Sequence, residues 1–453
     1  MSNNKLTFGT GRKCITPEVP VSLAGYFNTR MFDKVLDNIY VHVLLLSQGD
    51  SNTGIIYLEL IAVPSMLQEY LYKEISKKYP LTQENLVICA SHTHTAPNFR
   101  KNATEHSEDY MSFMVQKTLE AVDDAWNNMS SGELCLGRAS DDRFAFNRRY
   151  WMKDGSVVTN PGKLNPDIDR PEGDIDPEIP LIGIKKDGAL RVLISNISNH
   201  GDTIGGNGVS GDWMGFCRRK LENEMGQGSM SLPLIAPSGN INHFNVSSSA
   251  QQTSYAEAAR IGNGYADTII AALPELKYDS VTLQAFNKKI EVGARQLSVE
   301  ELEEARATLK KYPLPDLNSS ASDLTSEDLA NRTPAALAFF AAGTIKVAED
   351  KAQRIFNIVC IDFGNACIVS LPSEVFVETG LAIRKSCPEK IIMLATHSGS
   401  GATHLMGGYI PNIWNYGRGG YETTPRSNPF DINTANKLVT ECKSLIAGTI
   451  KKD

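Results

Sequence analysis

The stretch Leu86–Pro97 constrains the fold more than any other part of this chain; it reads Leu-Val-Ile-Cys-Ala-Ser-His-Thr-His-Thr-Ala-Pro. Its continuous apolar start predicts a buried strand, which ends in a polar His-Thr-His-Thr cluster closed by a proline. If the chain stays extended through the cluster, His92 and His94 point the same way, because strand side chains repeat every second residue. Two imidazoles on one face can form half of a metal site; two exposed loop histidines are the alternative.

The bulk composition excludes several classes of function. The chain has 453 residues, enough for one large domain or two, and is 42% hydrophobic and 21% charged, as in globular proteins with a sizeable core. Its net charge of -7 provides no basic surface for nucleic acid or anionic membranes. No apolar run is long enough to span a bilayer, and the first residues lack the apolar core of a signal peptide, so we expect a cytoplasmic protein.

The eight cysteines are scattered and form no Cys-x-x-Cys pair. Several lie within apolar runs, where a free cysteine behaves as a small hydrophobic residue. The sequence therefore predicts neither a disulfide framework nor a cysteine-ligated zinc. Any metal must be held by histidine and carboxylate side chains.

Hydrophobic periodicity predicts an α/β fold in which mixed β-sheets pack centrally and helices cover the outer faces. Residues 161–180 lack periodicity and predict an exposed loop, and no internal sequence repeat is visible. Strands are predicted over 10–15, 39–46, 54–60, 86–90, 191–198, 231–236, 356–363, 366–371 and 390–396. Helices are predicted over 64–79, 107–129, from about 214, and over 254–273, 298–311, 326–348, 374–385 and 433–450.

Polar residues follow two further predicted strands in the way that His92 follows the first. His200 comes after the strand 191–198, and Glu374 stands at a strand-to-helix junction, where Ser373 can instead cap the helix. Imidazoles and a carboxylate are suitable zinc ligands, and zinc lowers the pKa of bound water to about 7. Whether these side chains meet does not follow from their spacing.

Two other clusters are candidates for substrate contacts. Asn240, Asn242 and His243 follow the strand 231–236 and can bind a substrate, although turns are the ordinary use of such residues. Arg148 and Arg149 lie among aromatic residues, where they can hold a carboxylate or oxyanion or form a surface pair.

The segment Ala90–Pro97 resembles the Ala-Thr-His-Thr-His-Ser-Gly-Pro signature of the neutral/alkaline ceramidase family. Further resemblances follow in the family's order and span residues 9–421, and this shared order and spacing makes them specific. They are Asn147-Arg148, Asn199-His200 with Ser210-Gly211-Asp212, Leu371-Pro-Ser-Glu374, Gly408-Tyr409-Ile-Pro and Gly420-Tyr421-Glu422.

The resemblance implies a zinc-dependent hydrolase in which a metal-activated water cleaves an amide or related acyl bond of a small molecule. The implied zinc ligands are His92, His200, Glu374 and Tyr409. The residues implied to surround the carbonyl under attack are His94, Arg148 and Tyr421.

Two departures from the family argue against ceramide as the substrate. Asn242 stands where the family's Gly-Asp-Val-Ser-Pro-Asn motif has a serine that has been linked to catalysis. This change is compatible with attack by a zinc-bound water but not with attack by a serine nucleophile. The ceramidases also continue into an immunoglobulin-like C-terminal domain, whereas we expect a single catalytic domain over 1–453. We therefore expect a zinc amidase with a substrate other than ceramide.

Other functions stay open at this point. One alternative is a non-catalytic metal- or ligand-binding protein that retains the fold, and another is an esterase or lactonase acting on a small polar substrate. A serine hydrolase is disfavoured, because the chain has no Gly-x-Ser-x-Gly motif. The remaining histidines are interpreted as structural; they are His42, His106, His397 and His404. The oligomeric state does not follow from the sequence.

Overall fold

The computed structural model describes residues 5–99, 106–314, 324–325, 328–329, 331–350, 352–398 and 408–448. His404 lies outside the described residues. The strands of the first half are β1 (Thr7–Cys14), β2 (Ser22–Leu23), β3 (Arg30–Met31), β4 (Lys34–Val35), β5 (Tyr40–Gln48), β6 (Ser51–Leu58), β7 (Leu86–Ala90), β8 (Ser130–Ser131), β9 (Glu133–Ser140), β10 (Phe146–Asn147), β11 (Arg149–Met152), β12 (Val157–Thr159), β13 (Ile168–Pro171), β14 (Glu178–Lys186) and β15 (Ala189–Ile197).

The remaining strands are β16 (Gly208–Val209), β17 (Met230–Ile235), β18 (Ile241–Asn242), β19 (Lys277–Tyr278), β20 (Gln284–Val292), β21 (Arg354–Asp362), β22 (Ala366–Ser370), β23 (Glu374–Val375), β24 (Ile391–Ala395) and β25 (Tyr409–Ile410). The described α-helices are α1 (Ser65–Ser76), α2 (Ser107–Asn127), α3 (Asp212–Met225), α4 (Tyr255–Ala272), α5 (Val299–Lys311), α6 (Pro334–Glu349), α7 (Val377–Arg384) and α8 (Thr434–Ile446).

Three mixed sheets, two of five strands and one of four, have the same order in their first four strands. They are β7-β6-β5-β1-β8, β17-β15-β14-β9-β19 and β24-β22-β21-β20. In each sheet the first two strands are parallel, and all other neighbouring pairs are antiparallel. Each sheet is therefore built in the same way from different sequence.

The repeated unit is a hairpin followed by a helix and a strand that returns parallel to the second hairpin strand. Its three copies are β5-β6-α1-β7, β14-β15-α3-β17 and β21-β22-α7-β24. A parallel return needs a crossover connection, which the helix provides. The repetition lies in the topology, which explains why no sequence repeat is visible.

This topology brings the candidate site residues to equivalent ends of the sheets. In a parallel pair the carboxyl ends of both strands lie at one edge of the sheet. His92 and His94 follow β7, His200 follows β15, and Glu374 follows β22. All four residues thus leave the carboxyl ends of the parallel strands.

One hydrophobic core lies between the three sheets, with contributions such as Tyr57, Leu232 and Ile368 from each. The outer faces are covered by helices: α1 and α2 on the first sheet, α3 and α4 on the second, and α8 on the third. The predicted α/β class, with mixed sheets in the centre and helices outside, is confirmed. No helix among the described residues is long and apolar enough to cross a membrane.

Buried polar side chains join the sheets next to this core. The Tyr57 hydroxyl donates to the carbonyl of Pro233 (3.0 Å), linking the first and second sheets. The Asn196 side chain donates to the Leu394 carbonyl (3.1 Å) and accepts from the Leu394 N–H (2.7 Å), linking the second and third. Because such bonds are directional, they fix how the strand ends meet.

Two local predictions are wrong. Residues 161–180 are not entirely a loop, because β13 pairs with β11 and β14 already begins at Glu178. The helix predicted from Glu374 begins only at Val377 without a side-chain cap, so Ser373 does not cap it. Glu374 instead belongs to β23, which pairs with β25.

Candidate metal centre

The backbone does not stay extended after β7, because His92 has a left-handed φ of 60°. The two imidazoles nevertheless converge, with their Nε2 atoms 3.3 Å apart. The His94 N–H donates to the carbonyl of Gly201 (2.9 Å), which ties this segment to the loop that carries His200. The predicted convergence of His92 and His94 thus arises from a turn rather than from strand alternation.

His200 brings a third imidazole to this point, with its Nε2 atom 3.0 Å from that of His92. His92 Nδ1 lies 2.8 Å from the carbonyl oxygen of Ile61, and His200 Nδ1 lies 3.3 Å from that of Ser238. Because a carbonyl only accepts hydrogen bonds, both Nδ1 atoms carry the proton and both Nε2 atoms present lone pairs. Two facing lone pairs at this distance favour a cation between them.

Glu374 adds a carboxylate to the pair. Its Oε2 atom lies 3.7 Å from the Nε2 atoms of both His92 and His200, and it is buried without a hydrogen bond from the described residues. Tyr409 is the direct register partner of Glu374 in the β23–β25 ladder. The Tyr409 hydroxyl is also 3.2 Å from that of Tyr421.

These separations fit a tetrahedral zinc ion. With zinc–nitrogen and zinc–oxygen bonds of about 2.0–2.1 Å, ligand atoms lie about 3.3 Å apart. The distances of 3.0 and 3.7 Å among His92, His200 and Glu374 bracket that value. A second possible ligand set is His92, His94 and His200, whose ligand atoms all lie within 4.8 Å of one another. His92 and His200 are common to both sets.

The environment keeps the imidazoles in the form that binds metals. Burial lowers the pKa of His92 to about 4 and that of His94 to about 3, and it lowers the pKa of His200 well below its usual value. Burial raises the pKa of Glu374 to about 7, partly offset by the Arg148 guanidinium. Neutral imidazoles bind a cation without first losing a proton.

Arg148 is buried beside the cluster and does not belong to a surface pair. Its Nε donates to Glu422 Oε1 (3.1 Å) and its Nη2 to the carbonyl of Gly239 (2.7 Å). The guanidinium carbon lies 5.3 Å from the ring centroid of Tyr409 and 5.5 Å from that of Tyr421. The structure therefore brings together Arg148, Tyr409 and Tyr421.

Glu422 is the buried partner of both arginines, and the sequence indicated it only as part of a tyrosine motif. Its Oε2 accepts from Arg149 Nη1 (2.9 Å) and from the Thr159 hydroxyl (2.6 Å). Arg149 also pairs with Glu172, whose side chain is 2% exposed. The carboxylate of Glu422 thus fixes the plane of the Arg148 guanidinium.

The three predicted substrate-binding residues make hydrogen bonds within the protein. Asn240 accepts from the Val377 N–H and donates to Glu378. Asn242 donates to Asn160 Oδ1 (2.9 Å) and accepts from the Phe244 N–H. His243 Nε2 bonds to the Gln252 carbonyl (2.6 Å), and its Nδ1 is 3.4 Å from Asp202 Oδ1. Among these bonds, the one from the Phe244 N–H to Asn242 is a local turn contact, and most of the others join remote segments. A substrate contact stays a prediction.

His397 is a neighbour of the cluster that was interpreted as structural. Its ring stacks on that of His92, with centroids 3.8 Å apart and planes inclined by 12°. It follows β24 by two residues, as His92 follows β7, and its φ of 53° is also left-handed. Its position at a strand end was the available sequence signal.

Comparisons with known proteins bear on this arrangement. No protein-family model and no curated protein sequence matches the chain. A crystal structure of neutral ceramidase from Pseudomonas aeruginosa superposes with a TM-score of 0.71 at 16% identity, over 99% of this chain and 75% of that one. The chain has the neutral ceramidase fold. A structure of a ceramidase complexed with C2 also matches, with a TM-score of 0.70 at 14% identity over 98% of this chain and 76% of that one.

At this identity the likeness establishes the fold alone. On this neutral ceramidase fold, the motif residues that resemble the family lie in one place although they are far apart in sequence. His92, His200 and Glu374 share one cluster, and Arg148, Tyr409 and Tyr421 lie beside it. A buried group of three histidines that can hold a metal is therefore set within a ceramidase-like fold.

Proposed function

We propose that this protein is a zinc-dependent hydrolase that cleaves an amide or related acyl bond of a small molecule. The observation that carries the proposal is the convergence of three lone-pair atoms, His92 Nε2, His200 Nε2 and Glu374 Oε2, without a hydrogen-bond donor for the carboxylate oxygen among the described residues. Such a donor set is the kind that binds zinc in catalytic centres.

The proposed ligands are His92, His200, Glu374 and Tyr409. Their side chains fit the metal because both imidazoles are oriented by carbonyl acceptors and because Glu374 and Tyr409 are adjacent in one ladder. Zinc, when bound, supplies a Lewis acid that polarises a carbonyl and activates water.

The other residues are proposed to act on the substrate. The Arg148 guanidinium is held by Glu422 and Gly239 beside the rings of Tyr409 and Tyr421. Together with the Tyr421 hydroxyl it would stabilise the oxyanion that develops on the carbonyl, and in acyl transfer such stabilisation usually contributes more to the rate than any other effect. His94 is neutral and would contact the same carbonyl.

Asn242 bears on the choice of mechanism and substrate. It has no nucleophilic oxygen, and both ends of its amide are engaged, with Asn160 and with the Phe244 N–H. The side chain at this position therefore cannot attack the substrate carbonyl directly, which leaves water as the nucleophile. We propose an amide substrate other than ceramide.

The test is turnover of N-acyl amides, esters and lactones by the protein as purified, after chelation and after zinc is restored. We expect chelation to remove turnover and zinc to restore it. His92→Ala should abolish turnover, and His106→Ala, outside the cluster, should keep it. Turnover that survives chelation and His92→Ala contradicts the proposal.

Two other outcomes identify the alternatives. Metal binding that depends on His92 without hydrolysis of any substrate in the panel supports a binding protein that retains the fold. Zinc-dependent turnover of esters or lactones with none of amides supports an esterase or lactonase.

A further inference from the structure

Asp202 is a charged residue beside the metal centre that the proposed function does not use. It lies two residues beyond His200 and directly after Gly201. The Gly201 carbonyl accepts from the His94 N–H (2.9 Å), and Gly201 forms a parallel bridge with Thr93. This pairing places Asp202 next to the turn that carries His94.

Asp202 keeps one of its two carboxylate oxygens accessible. Its Oδ1 atom is buried and lies 3.4 Å from His243 Nδ1. The side chain as a whole is 18% exposed. Its Oδ2 atom accepts no hydrogen bond from the described residues and is not fully buried. Oδ2 is therefore the oxygen that solvent or a ligand can reach.

His243 fixes the orientation of this carboxylate. Its Nε2 donates to the carbonyl of Gln252 (2.6 Å), which holds the ring with Nδ1 facing Asp202. Burial opposes a charge on the imidazole, but Asp202 outweighs burial and raises the pKa of His243. Burial likewise opposes a charge on Asp202, and the pairing with His243 outweighs it and keeps the pKa of Asp202 well below its usual value. Asp202 is thus ionised at neutral pH.

Asp202 does not support the backbone in the way that Asp212 does. Asp212, in the same loop, accepts from the N–H groups of Ile204 (3.0 Å) and Trp213 (2.6 Å). Asp202 accepts from no backbone N–H and pairs with no arginine or lysine in the part of the chain that the structure describes. Each carboxylate oxygen can accept about two hydrogen bonds, so Oδ2 keeps its capacity for a donor from outside the protein.

The surroundings of Asp202 show where such a donor lies. The Tyr26 ring packs edge-on against that of His94, with centroids 5.7 Å apart. Burial raises the pKa of Tyr26, and the negative charge of Asp202 raises it further, because the two side chains are neighbours. Glu374, a proposed ligand, is 14% exposed. Both the metal centre and Asp202 therefore have surface that a small molecule can reach.

We propose that Asp202 binds an ammonium group of the substrate close to the acyl bond that is cleaved. This inference rests on the proposed function and names its substrate class, small amides that carry a primary amine. An ammonium group is preferred to a neutral donor because hydrogen bonds between ionised groups are roughly twice as strong as neutral ones. Asp202 holds the substrate through Oδ2 and takes no part in bond cleavage.

The test uses inhibitors that bind zinc and need no turnover. The hydroxamates of glycine, β-alanine and γ-aminobutyric acid carry an ammonium group at three distances from the carbonyl. In the matched alkyl hydroxamates a methyl group replaces the ammonium group. Calorimetry measures the affinity of each for the zinc-loaded protein. We expect at least one aminoalkyl hydroxamate to bind about tenfold more tightly than its alkyl match, the value of one charge-assisted hydrogen bond.

Two variants assign this preference to Asp202. Asp202→Asn should remove it and leave the affinity for the alkyl hydroxamates unchanged. Asp362→Asn is the matched control and should keep it. Asp362 is 23% exposed and pairs with one cation, Lys390 (2.6 Å), at the hairpin turn between β21 and β22.

The outcomes separate this inference from the proposed function. Equal affinities within every matched pair for the wild type overturn the inference. Equal weakening of both kinds of hydroxamate by Asp202→Asn also overturns it, because a structural role has that effect. In both cases, binding of the alkyl hydroxamates still supports the zinc centre. Failure of every hydroxamate to bind the zinc-loaded protein contradicts the zinc centre itself, and the inference falls with it.

Discussion

His92 and His397 lie face to face, and both have left-handed backbones two residues beyond a returning strand. Ser373, immediately before Glu374, also has a left-handed backbone conformation, with a φ of 59°. Such conformations are unfavourable for residues other than glycine and are concentrated at functional sites. Periodicity could predict that polar residues follow these strands, but not that the chain turns there and stacks one imidazole on another.

The stacking gives His397 a testable positioning role. We expect His397→Ala to lower zinc affinity about tenfold, as loss of groups that orient a ligand usually does. His397→Phe keeps a flat ring against His92 and should bind zinc nearly as well as the wild type. Equal losses in both variants, measured by competition with a chromophoric chelator, would show that stacking is not what matters.

Glu422 should matter for rate through Arg148. Its buried carboxylate holds both Arg148 and Arg149, whereas Glu172, whose side chain is 2% exposed, pairs with Arg149 and Arg418 but not with Arg148. Glu422→Gln and Glu172→Gln should both lower the free energy of unfolding, by about 3 kcal/mol. Only Glu422→Gln should lower kcat, on the order of 100-fold and with little change in KM. The reason is that a misplaced Arg148 guanidinium weakens stabilisation of the transition state more than it weakens substrate binding. Similar kcat values in the two variants would argue against this role.

At the scale of elements, the sequence was sufficient where an apolar pattern was strong. The strand over 86–90 was predicted with its observed ends, and α2, α4 and α5 within a few residues. β20 was missed because it contains polar and charged residues, as its sequence Gln-Ala-Phe-Asn-Lys-Lys-Ile-Glu-Val shows, and β9 and β14 were missed as well. β23 was missed because its two residues become a strand only by pairing with β25, which is remote in sequence.

One element contact has a predictable pH dependence. Glu59, just after β6, accepts from Arg218 of α3 and lies 3.3 Å from His42. Burial alone would raise the pKa of Glu59, but Arg218 and the hydrogen bond with His42 outweigh it and lower the pKa to about 2. Because the folded pKa is below the unfolded one, this stabilisation is complete above about pH 4.5 and is lost as the pH falls toward 2.

Chemical denaturation between pH 5 and pH 3 measures this contribution. We expect the free energy of unfolding of the wild type to fall more steeply toward low pH than that of Glu59→Gln, which lacks the titrating group. Glu69→Gln, at an exposed site on α1, should keep the wild-type slope. Parallel slopes for the wild type and Glu59→Gln would contradict the predicted shift.

At the scale of the whole molecule, the site results from three copies of one unit meeting at the ends of their parallel strands. His92, His200 and Glu374 are contributed by the first, second and third units, respectively. The sequence placed each at a strand end, and the resemblance put them in one site, but the shared topology explains why they meet. The hairpin turns, such as Asp187–Gly188 between β14 and β15, lie at the opposite edge of each sheet.

This arrangement predicts where insertions are tolerated. A Gly-Ser-Gly insertion between Asp187 and Gly188, both exposed, should lower stability only slightly, since lengthening a turn costs about 0.6 kcal/mol per doubling. The same insertion between Leu371 and Pro372 should abolish zinc binding, because it displaces Glu374. Zinc content and thermal unfolding of the two variants check the prediction, and loss of zinc in the first would contradict it.

The proposed zinc centre is tested most directly by the zinc content of the purified wild type and of His92→Ala and His94→Ala, measured by plasma mass spectrometry. We expect stoichiometric zinc in the wild type, its loss in His92→Ala and its retention in His94→Ala with a reduced rate. Loss in both variants would place His94 among the ligands, in the set of three histidines. A wild type that cannot be loaded with zinc, or a His92→Ala variant that holds it as tightly, would contradict the proposed centre.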